Sequence, residues 1–318
     1  MEERKIPVIL DLDTGVDDAM ALALAAASDR LEILGLTAVY GNRPADETAR
    51  NTLRVAEQLG LEVPVAKGAS RALLDPPIDY SLQPVVDIHG SDGLGNCADM
   101  IPAPEGSLSP LTACELMAEI LSASREKVTL IATGPLTNVA LFLLGYPHLH
   151  GKIERILFMG GAAHGGNLRP SVEANAGHDP EAAAVVLTSG LPVCMFGLDA
   201  TMGCFITEEE RLSMADMGKT GAFLSACLAG YSGIYRALAG LPGAVLHDSL
   251  PVAWLIDPSV AEMKDYYVEM DLDGAGTRGC TVTDVGAIWR REPNAKVAMS
   301  ADREKFIRMQ LDAVKKFK

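Results

Sequence analysis

The sequence predicts an α/β protein with a mostly parallel central sheet flanked by helices, in the manner of a Rossmann-like open sheet. Apolar, strand-like runs alternate with helix-forming segments from residue 7 to residue 199. The runs are aliphatic throughout, as parallel strands covered on both faces require. Hydrophobic residues make up 48% of the chain and aromatic residues only 5%, which indicates a large aliphatic core. We find no internal repeat and no long linker, and expect one domain over residues 1–318.

The alternation begins with the apolar run PVILDLD at residues 7–13, which is followed by a turn at Gly15 and an Ala/Leu-rich segment. Such a segment strongly favours helix. The later predicted strands are 31–42, 127–134, 155–161 and 191–199, and the predicted helices are 17–28, 45–60, 135–145 and 180–190. Ligands of open parallel sheets bind beyond the carboxyl ends of the strands. The residues that close these strands are therefore the candidates for chemistry: Asp11, Asp13, Asn42, Thr133, Met159 and Asp199.

Charge and cysteine content exclude several classes of protein. Asp and Glu number 42 against 27 Lys and Arg, so the net charge is −15, which argues against a nucleic-acid polymer as partner. The amino-terminal apolar run is too short for a signal peptide or a membrane span, so we expect no membrane association and a cytoplasmic location. The six cysteines form no CxxC pair and no zinc-binding pattern, and we expect buried thiols in a reducing compartment.

Four carboxylates fall within eight residues, Asp11, Asp13, Asp17 and Asp18, where the first strand becomes the first helix. Asp17 and Asp18 taken alone suit the first turn of a helix. Asp11 and Asp13 instead share one face of a buried strand, where two like charges are costly unless a cation compensates them. A site made of oxygen ligands favours Ca²⁺ or Mg²⁺ over zinc.

More than one kind of protein would use such a strand end. Haloacid-dehalogenase-like phosphatases begin with a DxDGT-type motif and use Mg²⁺. Here Thr14 precedes Gly15, and the Asp17–Asp18 pair is foreign to that motif. The phosphatase nevertheless stays an alternative on spacing. A non-catalytic nucleoside-binding or ribose-binding protein is a second alternative.

A more specific resemblance covers nearly the whole chain. The segment DLDTGVDDAMA is similar to the DTDPGxDDAxA signature of the inosine-uridine-preferring nucleoside hydrolases, a calcium-dependent family. Further family motifs follow in order: VYGN (39–42), ATGPLTN (132–138), FMGG (158–161), GNLRPSVEANAGHDPEAA (166–183), HD (247–248), DPSV (257–260) and TRGCTVTD (277–284). One such motif is weak evidence, whereas an ordered series is strong.

The resemblance implies hydrolysis of the N-glycosidic bond of a small-molecule ribonucleoside to ribose and nucleobase. It implies a Ca²⁺ held by Asp13, Asp18, the backbone carbonyl of Thr133, and Asp248. Asp13 would be the general base that activates a water. The residues that would bind the ribose hydroxyls are Asp17, Asn167, Glu173 and Asn175.

The remaining assignments concern the surroundings of the nucleoside. Asp11 and Asn42 would support the metal site, and Met159 would pack against the sugar. His247 would face the nucleobase as general acid, because an ordinary histidine pKa of about 6.5 lets it carry a proton near neutrality. Two further groups resemble family features: His89 in a loop that closes over the nucleoside, and the base-pocket tyrosines Tyr231 and Tyr235, four residues apart on one helix face.

The sequence departs from the family pattern at two positions. Thr14 replaces a proline, which we expect to loosen the turn without removing a ligand. Ala174 replaces an aromatic residue, so part of the wall around the base is expected to be missing. The His247–Asp248 pair resembles the inosine-uridine and pyrimidine branches, which favours a broad or pyrimidine-preferring activity. The family further implies a homodimer or a homotetramer.

Overall fold

The computed structural model describes residues 4–80 and 88–317. Its strands are β1 Ile6–Leu12, β2 Leu31–Ala38, β3 Val65–Lys67, β4 Val128–Ala132, β5 Ile153–Met159, β6 Val193–Phe196, β7 Phe205–Thr207, β8 Gly243–Val245, β9 Ala261–Tyr266, β10 Val268–Met270, β11 Thr281–Thr283 and β12 Ala295–Ala301. Within those residues, eight strands form the central sheet in the order β3-β2-β1-β4-β5-β6-β12-β9. Neighbours run parallel from β3 to β12, and β9 is antiparallel to β12.

Helices cover both faces of the sheet. They are α1 Val16–Ala26, α2 Ala45–Gln58, α3 Ala113–Ala123, α4 Thr137–Gly145, α5 Ala174–His178, α6 Pro180–Leu187, α7 Leu198–Thr201, α8 Glu208–Ala215, α9 Gly218–Ala239, α10 Ser249–Ile256 and α11 Arg303–Val314. Successive side chains of β1 point to opposite faces of the sheet. Leu10 and Leu12 therefore pack in the apolar core on one face, and Ile9 packs in the core on the other. The expected mostly parallel sheet flanked by helices is confirmed.

The predicted strands and helices up to residue 199 are present, with ends that differ by a few residues. The sheet also contains β9 and β12, which come late in the chain and which the sequence pattern did not reveal. Among the residues that the structure describes, no helix combines the length and apolar character needed to cross a bilayer. All six cysteines are free, but only Cys194, Cys204 and Cys227 are buried, so the expectation of buried thiols holds for half of them.

The turn between β1 and α1 is tightly held. Thr14 is fully buried, and its hydroxyl oxygen lies 2.6 Å from that of Thr52 in α2. This contact ties the turn to α2, and the loosening expected from the missing proline stays a prediction. Gly15 is the residue before α1, and its N–H donates to Oδ2 of Asp18 over 2.8 Å. A Cβ atom at Gly15 would lie only 2.5 Å from Nδ1 of His89, so the close approach of this loop requires glycine.

Candidate active site

Asp11 is the residue of β1 that ties the site to two neighbouring elements. Its Oδ1 accepts hydrogen bonds from the Thr37 hydroxyl over 2.6 Å and from Nδ2 of Asn138 over 2.8 Å. Burial raises the pKa of this carboxyl to about 7, against the lowering effect of these two donors. Asp11 therefore lies behind the site, where it connects β1 to β2 and α4.

Asp13 lies just beyond the end of β1 and is only 2% exposed. Its Oδ2 accepts a hydrogen bond of 2.8 Å from the backbone N–H of Asn42, and its Oδ1 is buried without a hydrogen-bond donor. The Asn42 side-chain amide lies 3.3 Å from both the Asp13 carbonyl and Oδ2 of Asp18. Asn42 thus contacts both aspartates, and its support of a metal site stays a prediction.

Three carboxylates meet next to this point. Asp17, Asp18 and Asp248 each offer an oxygen that lies within 4.8 Å of the other two, and all three side chains are buried. Asp248 occupies the N-cap position of α10, yet its side chain caps no backbone N–H of that helix. Its carboxylate is turned instead toward the two aspartates of α1. Asp13 is not a member of this group of three.

The electrostatics of Asp13, Asp17, Asp18 and Asp248 suit a cation. Burial raises the pKa of Asp13, Asp17, Asp18 and Asp248, and repulsion from a neighbouring carboxylate adds to the effect at Asp13, Asp17 and Asp248. Oδ1 of Asp17, like Oδ1 of Asp13, is buried without a donor. Buried carboxylate oxygens without donors and with raised pKa values are the environment that a bound divalent cation stabilises. The donor set therefore fits a hard cation.

Thr133, at the end of β4, contacts both halves of the predicted site. Its hydroxyl donates to Oδ1 of Asp18 over 2.6 Å. Its carbonyl, the predicted metal ligand, accepts a hydrogen bond of 2.6 Å from Nδ2 of Asn175. The same amide lies 3.2 Å from the Met159 carbonyl and 3.4 Å from its sulfur. Asn175 and Met159 are thus brought directly to the end of β4.

Glu173 and Asn167 make hydrogen bonds to the backbone around α5. Glu173 is buried and accepts from the N–H groups of Gly161, Asn175 and Ala176 over 2.7 to 3.0 Å. Asn167 is exposed, and its Oδ1 accepts from the N–H of Ala174 over 2.9 Å. The geometry gives both side chains a local structural use beside their predicted contact with ribose.

An aromatic group faces the carboxylates from α9 and from the segment after β8. Nε2 of His247 lies 2.6 Å from the Tyr235 hydroxyl. The Tyr231 ring centroid is 5.0 Å from that of Tyr235 and 5.2 Å from that of His89. The N–H of Val16 donates to Nδ1 of His89 over 3.1 Å. The residues that were predicted to lie near the nucleobase are thus neighbours in the structure.

Both histidines of this group are neutral at pH 7 in the substrate-free protein. Burial lowers the pKa of His247 to about 3 and that of His89 to about 4. The sequence-based reason for choosing His247, an ordinary histidine pKa, is therefore wrong for the free protein. The ring lies against Tyr235, and its protonation depends on what occupies the site.

Sequence reasoning missed three residues that hold the site together: Asn138 and Thr37, which bind Asp11, and Thr201, whose hydroxyl oxygen lies 2.7 Å from Nδ1 of His247. Asn138 stands at the end of the matched segment ATGPLTN, which was the available signal for it. Thr37 and Thr201 carry no local signal, because their partners lie 26 and 46 residues away in the chain.

The sequence profile of the inosine-uridine preferring nucleoside hydrolases matches residues 8–308 of this chain. The chain belongs to this family. It is 38% identical over 313 residues to the pyrimidine-specific ribonucleoside hydrolase RihA of Escherichia coli O1:K1, with 98% of each chain covered. It is 39% identical over 311 residues to the RihA protein of a Shewanella strain, covering 97% of this chain and 96% of the relative.

Solved structures give the same result. The purine-preferring ribonucleoside hydrolase of Gardnerella vaginalis superposes with a TM-score of 0.89 at 32% identity, over 98% of both chains. This protein is accordingly a ribonucleoside hydrolase, an enzyme that hydrolyses N-glycosyl bonds. The comparisons favour neither the phosphatase nor the non-catalytic binding protein.

Proposed function

We propose that this nucleoside hydrolase cleaves the N-glycosidic bond of ribonucleosides by attack of a water that Asp13 deprotonates, in a site that holds Ca²⁺. The observation that carries the proposal is the meeting of three buried carboxylates, Asp17, Asp18 and Asp248, beside the buried Asp13 at the end of β1. The pKa values of all four are raised. A small-molecule ribonucleoside is the proposed substrate.

Asp13, Asp18, Asp248 and the Thr133 carbonyl would hold the cation. All are oxygen donors, which suits Ca²⁺. Asp17 lies within the same carboxylate group, so we propose that it contacts the cation site from the side of the ribose. When bound, the cation supplies positive charge that offsets the buried carboxylates and lowers the pKa of an adjacent water.

Asp13 is the proposed general base because one of its oxygens is held and the other has no donor. Oδ2 is fixed by the N–H of Asn42, whereas Oδ1 is buried and available to take a proton. In the cation-free protein, burial and the neighbouring Asp18 and Asp17 raise the pKa of this carboxyl. In the proposed step the water oxygen bonds to the ribose anomeric carbon as the C–N bond breaks, and the water proton passes to Asp13.

Ribose recognition is assigned to acceptors and amides around the end of β5. Asp17, Asn167, Glu173 and Asn175 would contact the hydroxyls, with Met159 against the sugar. Hydrogen bonds that strengthen as the sugar becomes an oxocarbenium ion contribute to this kind of bond cleavage. The network from Asn175 to Thr133 holds that amide in place before substrate arrives.

The electron pair of the broken C–N bond goes to the leaving base, which then needs a proton. We propose that it comes from the group formed by His247, Tyr235 and Tyr231, with His89 closing the pocket from the side of α1. The ring of His247 is neutral in the free protein. Negative charge that develops on the base raises the pKa of the ring, because an opposite charge favours the imidazolium.

Water is favoured over phosphate as the nucleophile, because the described side chains at the carboxylate cluster carry negative charge, which repels an anion. For the base we propose a broad or pyrimidine-preferring activity, which the likeness to a pyrimidine-specific relative supports. The proposal also includes a single domain over residues 1–318 and a homodimer or homotetramer. We further propose a cytoplasmic location, with which the free thiols are consistent.

The experiment is a nucleoside panel in phosphate-free buffer with Ca²⁺. Uridine, cytidine, inosine, adenosine and guanosine are incubated with the protein, and reducing sugar is measured. We expect free ribose from uridine, cytidine or inosine. No reducing sugar from any nucleoside would overturn the proposal, and turnover of p-nitrophenyl phosphate with Mg²⁺ would favour the phosphatase instead.

A further inference from the structure

The strongest unassigned feature beside the site is the buried contact between Thr201 and His247. The Thr201 hydroxyl oxygen lies 2.7 Å from Nδ1 of His247, and the Tyr235 hydroxyl lies 2.6 Å from Nε2 on the opposite edge of the ring. Thr201 is fully buried and His247 is 5% exposed. The imidazole is thus held between two hydroxyl groups.

Thr201 is itself rigidly placed. It is the last residue of α7, a single helical turn that directly follows β6. The first residue of that turn, Leu198, donates its N–H to the Gly161 carbonyl over 3.0 Å and packs against Met159 and Ala162. The N–H of Thr201 donates to the Gly197 carbonyl. The hydroxyl therefore projects from backbone that is anchored to the end of β5.

The direction of the hydrogen bonds follows from the proposed role of the ring. A ring that gives a proton to the leaving base from the edge facing Tyr235 carries that proton at Nε2. A neutral imidazole has a single N–H, so Nδ1 is then the acceptor for the hydroxyl of Thr201. The Tyr235 oxygen, 2.6 Å from Nε2, is the acceptor for the N–H while no base is bound.

We propose that Thr201 is a positioning residue, whose hydroxyl donates to Nδ1 of His247 and so keeps the ring in the tautomer and orientation that present Nε2–H to Tyr235 and the leaving base. The proposal rests on the proposed function, in which His247 serves the leaving base. Outer hydroxyl or carboxyl groups that fix a histidine tautomer act in this way at other sites. Without the hydroxyl, neither tautomer is favoured from the side of α7, and the ring is free to turn.

The test compares Thr201→Val, which keeps the shape but removes the hydroxyl, with Thr201→Ser, which keeps the hydroxyl. Both are assayed with Ca²⁺ on uridine and on p-nitrophenyl riboside, whose leaving group needs no proton. We expect Thr201→Val to lower kcat for uridine about 10- to 100-fold with little change in KM, and to change kcat for p-nitrophenyl riboside about twofold or less. Thr201→Ser should retain most of the activity on both substrates.

Equal losses in the valine and serine variants, or equal losses on both substrates, would show a packing role and overturn the proposal. His247→Ala serves as the reference: if it discriminates between the substrates and Thr201→Val does not, only the assignment of Thr201 fails. If His247→Ala does not discriminate, the acid role of the proposed function fails. Thr201 is then judged by the ¹⁵N signals of the His247 ring, where a shift away from the Nε2–H tautomer in Thr201→Val supports the proposal and unchanged signals contradict it.

Discussion

The hydroxyl of Thr133 donates a hydrogen bond of 2.6 Å to Oδ1 of Asp18. This contact joins the end of β4 to the first turn of α1 across 115 residues of sequence. The carbonyl of the same threonine accepts from the Asn175 side chain. One residue therefore connects the carboxylate cluster to the proposed ribose contacts. A substitution in either group is expected to disturb the hydrogen bonds of the other.

Removal of the cation should destabilise the protein more strongly at high pH than at low pH. Asp17 has a pKa of about 7 in the cation-free folded protein against an ordinary value of 3.8. The folded state therefore binds more protons than the unfolded state between these values, and the stability of the cation-free protein falls as pH rises through that window. Thermal unfolding with EDTA and with excess Ca²⁺ measures the effect. The increase in Tm on adding Ca²⁺ should be larger at pH 8 than at pH 5, and an increase independent of pH would contradict this account.

His247→Ala should slow natural nucleosides much more than activated ones. If the histidine supplies a proton to the leaving base, its loss costs about 10²- to 10⁴-fold in kcat on uridine, a typical range for general acid catalysis. p-Nitrophenyl riboside should be hydrolysed at close to the normal rate. Parallel kcat measurements on the two substrates decide the matter, and similar losses on both would remove His247 from the acid role.

Gly41→Ala should impair catalysis by displacing Asp13. A Cβ atom at Gly41 would collide with Oδ2 of Asp13 and lie 2.8 Å from its Cγ, so the proposed general base has to move. A misplaced catalytic group costs on the order of 10²-fold in rate. Gly230→Ala is the matched control, since a Cβ there meets nothing within 4 Å. Steady-state kinetics on uridine compare the variants, and full activity of Gly41→Ala would show that the position of Asp13 is not critical.

Glu173→Gln should lower stability, because the carboxylate of Glu173 accepts from two backbone N–H groups at the start of α5 and from the N–H of Gly161, which follows β5. A glutamine offers one oxygen and an amide that repels these donors, which costs about 1–3 kcal/mol for a buried group left unpaired. Urea unfolding measures the free energy of unfolding. The exposed residue Glu119 of α3 provides the control, Glu119→Gln, which should change it by less than about 0.5 kcal/mol. Equal stability of the two variants would show that the backbone contacts of Glu173 are dispensable.

Local sequence patterns predicted the part of the fold that contains most of the site. The strand–helix alternation made Asp13 and Asn42 the closing residues of their predicted strands, and the structure joins them by a hydrogen bond of 2.8 Å. It did not reveal β9 and β12, whose pairing is set by contacts far apart in the chain. Nor did it reveal Thr201, which has no periodic signal because its role depends on a histidine 46 residues later.

The pKa of His247 shows another limit of sequence reasoning. The residue was found by its place in the His247–Asp248 pair, but its neutral state results from burial among aromatic rings that only the folded chain brings together. Ionisation depends on the surroundings in space, whereas a motif records neighbours in sequence. The residue types of the site were predictable, and their electrostatic states were not.

The most direct test of the account is the rate of ribose release from uridine, in phosphate-free buffer with Ca²⁺, by the unaltered protein and by Asp13→Ala. Asp29→Ala, at an exposed carboxyl on the surface, is the control. We expect ribose release by the unaltered protein and by Asp29→Ala. We expect none measurable by an Asp13→Ala variant whose fold is intact by circular dichroism. Ribose release by folded Asp13→Ala at the normal rate would contradict the central claim that Asp13 activates the attacking water.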